Sequence, residues 1–156
     1  MKLRILSLLL CLTATGLYSA ETAFYSNSLD KADSLAGWWI APGTQAKSIA
    51  ETGIEIVDGK DSKGKFQGVI RGIKAKPLLG KRVKVSVEVK ADDLKPMGDT
   101  RSGGKFMFVV RTPGQIFYPQ SNPATGSYGW TTYSLEYIFT ADATTLNYTL
   151  GLERGS

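Results

Sequence analysis

Histidine is absent from this chain, and cysteine occurs once, as Cys11. Histidine is the commonest general base and metal ligand, and cysteine supplies thiolate nucleophiles and soft metal sites. A Ser-His-Asp or Cys-His mechanism and a typical zinc site are therefore excluded. A lone cysteine allows no internal disulfide, so stability must come from core packing. A large excess of one charge is also missing: 19 basic residues stand against 14 acidic ones. The densest basic group is Lys74, Lys76, Lys81, Arg82 and Lys84. A nucleic-acid surface needs a longer basic stripe with aromatics interleaved, so no nucleic-acid partner is expected. What survives is carboxylate chemistry, or binding without chemistry.

Long apolar runs are scarce as well. The run at 5–12 follows Lys2 and Arg4 and precedes small, mixed residues up to Ala20. A charged start, an apolar middle and a small-residue end are the parts of an export signal. The run is too short for a membrane-spanning helix. Residues 1–20 read as a signal peptide and 21–156 as one domain, in a protein that is secreted, periplasmic or at the cell surface. Loss of Lys2 and Arg4 with the leader leaves 17 basic residues against 14 acidic ones, a net charge of +3. Leu8-Leu9-Leu10-Cys11 resembles a bacterial lipobox, although Leu10 stands where a small residue is usual; no membrane partner is expected unless Cys11 is lipidated. The remainder is long enough to bury roughly two-thirds of its unfolded surface.

That remainder alternates at period two. Val83, Val85, Val87 and Val89 share one strand face, with Lys84, Ser86 and Glu88 on the other. Tyr133, Leu135, Tyr137 and Phe139 repeat the pattern, and so do Leu146, Tyr148, Leu150 and Leu152 opposite Thr145, Asn147, Thr149 and Gly151. Residues 106–110 are apolar on both faces, as a covered central strand would be. Weaker strand signals lie at 23–27, 44–51, 54–57 and 66–73, and a helical turn is expected only at 29–36. Short strands separated by Gly and Pro predict an all-β fold, an antiparallel β-sandwich of jelly-roll type.

Two long connections, 92–105 and 115–129, flank the apolar strand. Long loops on a rigid scaffold often carry function. The second holds Gln115, Phe117, Tyr118, Gln120, Asn122 and Tyr128. Tyr118 is the best flat platform, while Phe117 is expected to point inward. Trp38 and Trp39 are adjacent, so one of them should be exposed. Trp130, Tyr133 and Tyr137 read as core. Arg71 and Arg111 sit in or at the end of strands, where they are either donors to a ligand or solvated charges.

Three stretches carry a resemblance. They are Ser34-Leu-Ala-Gly-Trp38, then Pro77-Leu-Leu-Gly-Lys-Arg-Val-Lys-Val-Ser-Val-Glu-Val-Lys90, then Gly129 to Phe139 followed by Leu146 to Leu152. In this order they resemble the jelly-roll carbohydrate-binding modules attached to bacterial glycoside hydrolases, the cellulose-, xylan- and glucan-binding group. The resemblance runs from Ala23 to Leu152. It implies a galactose-binding-like sandwich that closes with a strand of the form V-W-F-D-D-V. Here the sequence stops at Ser156, where that strand should begin. The expectation is a fold lacking its last strand, with a downstream catalytic domain as a partner. Such modules often hold a structural calcium, and Glu21 could supply part of a hard-cation site; the sequence itself predicts no cofactor and no metal. Relatives also place an arginine at the sugar cleft, followed shortly by tryptophan. Arg71 matches the first half of that signature, and Gly72-Ile73-Lys74-Ala75 departs from the second.

Sugar binding needs these residue types. A pyranose offers C–H groups on its faces and hydroxyls round its edge, so a flat aromatic covers the face while Arg, Gln or Asn bonds the edge. The resulting expectation is a secreted, non-catalytic domain that binds a polysaccharide or oligosaccharide through Trp38, Trp39, Arg71, Arg111, Tyr118, Gln120 and Tyr128. One alternative is a structural or adhesive β-sandwich that contacts protein or cell wall. Another is a glycan-degrading hydrolase or lyase, disfavoured because most acids fall in turns. Its best carboxylate pair is Glu88 and Glu136, mid-strand residues that would have to face each other.

Overall fold

A computed structural model of the chain describes residues 2–13, 22–29, 31, 33, 35–51, 53–57, 66–94 and 103–153, of which 6–13, 22–28 and 153 are described as backbone. Twelve strands are found among these residues: β1 (Lys2–Thr13), β2 (Thr22–Ser28), β3 (Trp39–Ile40), β4 (Gln45–Ile49), β5 (Gly53–Val57), β6 (Gln67–Ile73), β7 (Arg82–Leu94), β8 (Gly103–Arg111), β9 (Ile116–Phe117), β10 (Gln120–Ser121), β11 (Gly126–Ile138) and β12 (Thr145–Glu153). Of the expected helical turn at 29–36, residues 30, 32 and 34 lie outside the described ones; tight turns are closed by Ala36 N–H to Asp33 O at 2.8 Å and Trp38 N–H to Leu35 O at 3.1 Å. The fold is an all-β sandwich of two antiparallel sheets. Sheet A runs β11-β7-β1-β5-β4, with β2 also on β1; sheet B runs β10-β8-β12-β6-β3, with β9 also on β8.

The alternating residues fill the space between the sheets. From sheet A come Leu3, Ile5, Ile54, Ile56 and the four valines of β7; from sheet B come Val69, Phe106, Phe108, Val110, Leu146, Tyr148, Leu150 and Leu152, all buried. Edge-to-face ring pairs knit the layers, Phe108 with Phe139 at 5.5 Å and Trp38 with Tyr148 at 5.1 Å. Val83 to Val89 bury one face and leave the other half-exposed because side chains alternate across a pleated strand.

The segment with an export-signal composition lies at the centre of sheet A. Lys2–Ile5 pair with β5 and Ser7–Leu12 with β2 on one side, while β7 occupies the other. A bulge between Ile5 and Leu8 resets the phase, so that Leu8, Leu10 and Leu12 stand opposite Val87, Val85 and Val83. Glu55 ties three strands together: its carboxylate meets Arg4 Nε at 3.0 Å and Lys47 Nζ at 3.1 Å.

Burial alone would raise the Glu55 carboxyl, but the hydrogen bonds and charges of Lys47 and Arg4 outweigh it and hold the group below its ordinary 4.5. A depressed carboxylate contributes stability above its unfolded pKa and loses it as pH falls through the folded one. Thermal stability should therefore begin to fall as pH drops past 4.5. Glu55→Gln should lose about 1–2 kcal/mol at neutral pH and show a flatter acid limb in melting curves. A variant that keeps the wild-type acid limb would remove Glu55 from this role.

Candidate functional site

Sheet register decides which predicted residues meet. On β12, Leu146, Tyr148, Leu150 and Leu152 point inward, so Thr145, Asn147, Thr149 and Gly151 belong to the outer face of sheet B. Cross-strand partners share a face. One row of that face reads Trp39, Ile70, Thr149, Met107, Gln120, and the next runs from Gly72 through Asn147 to Val109. A third holds Thr145, Arg111 and Ile116.

The 115–129 stretch carries the short strands β9 and β10 and the start of β11, joined by non-strand residues. Val110 pairs with Phe117 and Met107 with Gln120, so β9 and β10 keep one register along β8. Between them Phe108 N–H donates to Pro119 O at 2.9 Å. Proline lacks an N–H and is tolerated here because this is the sheet edge. The shared register sets Tyr118 opposite Val109, on the outer face, and it is 55% exposed. Phe117 packs against the core as expected. Of the long connection at 92–105, residues 95–102 lie outside the described ones, as do Ser34, Ala20 and Glu21.

Four of the seven predicted residues thus share one surface. Trp39, also 55% exposed, stands on β3 at one edge, and Tyr118 stands at the other. Four inter-strand spacings separate them, about 19 Å. Arg111 and Gln120 flank Tyr118, and Gln120 Oε1 accepts a hydrogen bond from Lys105 Nζ at 3.1 Å. Asn147 and Thr149 fill the middle. Thr149 is 1% exposed, and its hydroxyl has no hydrogen-bond partner among the described residues. The alternation of β12 marks Asn147 and Thr149 as its polar side, whereas only the register sets Lys105 on the same face, opposite Gly151.

The other three lie elsewhere. Trp38 is buried against Tyr148. Arg71 is opposite Tyr148 and therefore points to the inner side at the end of the sandwich, where its guanidinium lies 5.9 Å from the Trp38 ring centre. Tyr128 belongs to sheet A, tilted against Tyr133 at 6.2 Å. Burial, and then the neighbouring Tyr133 hydroxyl, push its phenol above the ordinary tyrosine range. It lines a cavity of about 540 Å³ with Lys2, Arg4, Lys90, Asp92 and Ser127, on the sheet opposite the Trp39–Tyr118 face. Trp130, expected in the core, is 41% exposed. The register shift between Tyr128 and Thr131 adds a residue there and turns it outward.

The carboxylate pair does not form. Glu88 stands opposite Thr132, and Glu136 opposite Lys84. Four residues along β7 and one strand across separate them, roughly 14 Å by strand geometry. Glycosidase carboxyls stand about 5–9.5 Å apart. Glu136 instead meets Arg82 at 3.4 Å on the surface. No helix among the described residues is long and apolar enough to cross a membrane. No protein-family model matches the chain, and no curated protein matches it.

Proposed function

We propose that this chain is a non-catalytic carbohydrate-binding domain that takes a polysaccharide or oligosaccharide across the outer face of sheet B. The observation that carries this reading is the gathering of Trp39, Tyr118, Arg111 and Gln120 on one face, with the two exposed rings at opposite edges. Flat rings at the ends suit the apolar faces of sugar units. Arg111, Gln120 and Asn147 offer donors and acceptors to hydroxyls between them. A sheet face suits a long, hydrated polymer better than a closed cavity does, because much of the polymer stays in water. The export-signal composition of residues 1–20 fits an extracellular or cell-surface ligand.

Affinity electrophoresis tests this. The folded domain should be retarded in gels containing at least one of β-glucan, xylan, mannan or galactan. Unretarded migration in all four, with a cooperative melt confirming the fold, would count against sugar binding. A second reading, an adhesive module that binds protein, draws on β11. This is an outermost strand of sheet A, and it carries Trp130 and Ile138 at 41% and 50% exposure. An exposed edge with apolar side chains is a template for another strand. That reading predicts partner capture that Trp130→Ser abolishes and Trp39→Ala leaves intact.

A further inference from the structure

We infer that the seat of β1 in sheet A is a strand-accepting site, and that residues 2–13 are its exchangeable occupant. Among the described residues no other ladder joins β7 and β11 to β5 and β4. Taking β1 away leaves unpaired those backbone donors and acceptors of β7 that face it, between Arg82 and Val87 and between Val89 and Asp92, while the opposite side stays paired with β11. It likewise opens β5 from Ile54 to Val57. Buried backbone groups without partners are costly, so an empty seat is a strong acceptor of any extended segment of matching pattern.

The pattern required is legible on the page. The occupant must run antiparallel to β7 and set apolar residues where Leu3 and Ile5 lie, 1% and 0% exposed, against Ala91 and Val89. A basic residue at the position of Arg4 reaches Glu55, which is 3% exposed. The site thus selects an alternating apolar strand with a cation between its first two anchors. The same residues carry the charged and apolar parts of an export signal. The two uses exclude each other, since an export receptor needs this segment free while the sandwich buries it. Cleavage after the signal removes the covalent tie, and the segment then stays or leaves as a ligand does.

The test uses the full chain with a protease recognition sequence inserted between Thr13 and Thr22. After cutting, the N-terminal fragment should remain bound through size-exclusion chromatography. A labelled peptide of residues 2–13, added in excess, should exchange into the site. The same peptide carrying L3K and I5K should bind at least about tenfold more weakly, because two unpaired charges would be buried. If the cut chain loses its fragment and melts at lower temperature, added peptide should restore the melt, which also supports the site. Release of the fragment with no change in melting temperature would overturn the inference. So would a cut chain that neither exchanges nor regains its melt with peptide, or one that binds both peptides equally.

Discussion

Replacing Gly151 with valine is expected to abolish folding, and even Gly151→Ala should cost more than about 3 kcal/mol, above the usual range for an overpacked core. Gly151 on β12 stands directly opposite Gly68 on β6. A Cβ built on Gly151 would collide with the Gln67 carbonyl oxygen and lie 2.7 Å from Gly68 Cα and 2.9 Å from the Phe66 ring. A Cβ on Gly68 would meet the Leu150 carbonyl oxygen and the Phe66 ring in return. Two of these neighbours are backbone in paired strands, and β12 is held on both sides by β6 and β8. Neither can yield without breaking ladder hydrogen bonds. With total stability of only about 5–15 kcal/mol for a typical domain, valine leaves nothing to spare. Gly114→Ala is the control: nothing lies within 4 Å of its added Cβ, and it should shift stability by less than about 0.5 kcal/mol. Urea unfolding followed by tryptophan fluorescence reads both. A Gly151→Ala protein as stable as Gly114→Ala would sink the argument.

The glycine pair illustrates what a single sequence carries and what it does not. Strict alternation in β7, β11 and β12 announces strands and their core faces, because period two is a property of one strand. Which strands lie side by side is a property of the whole sheet. The resemblance makes Arg71 a candidate sugar donor, yet its cross-strand partner is Tyr148, which turns it inward. Gln115 to Ser121 reads as loop because Pro113, Pro119 and Pro123 punctuate it; an edge strand needs only half its N–H groups, so it tolerates Pro119. Leu3 and Ile5 followed by Leu8, Leu10 and Leu12 form an alternation with one extra residue. Leucine density masks it, since the same run serves as the apolar middle of a signal. Trp130 misled for a related reason, as a bulge cannot be seen without the partner strand. On the outer face of sheet B, Trp39 and Tyr118 were readable one at a time. Their membership of one surface was not.

That shared surface makes the double variant Trp39→Ala with Tyr118→Ala the decisive functional measurement. Each ring is 55% exposed, so truncating it removes little from the core and should leave the melting temperature within a few degrees of wild type. Each should weaken a sugar polymer by ~1.5 kcal/mol, close to tenfold, since the aromatic platform is lost while the hydroxyl contacts remain. The rings are about 19 Å apart with no partner in common, so their effects should add and the double variant should bind about a hundredfold more weakly. Additivity is the informative part. A polymer lying across the whole face meets both rings at once, whereas a ligand held at one edge feels only one substitution. Short oligosaccharides should therefore respond to Trp39→Ala or to Tyr118→Ala, but not equally to both. Gln120→Ala should change the ranking among sugars more than the affinity for the best one, because an edge hydrogen bond discriminates between epimers while the stacked ring does not. Titration calorimetry on wild type and the four variants measures each term. Wild-type affinity in the double variant would move the binding surface away from sheet B altogether.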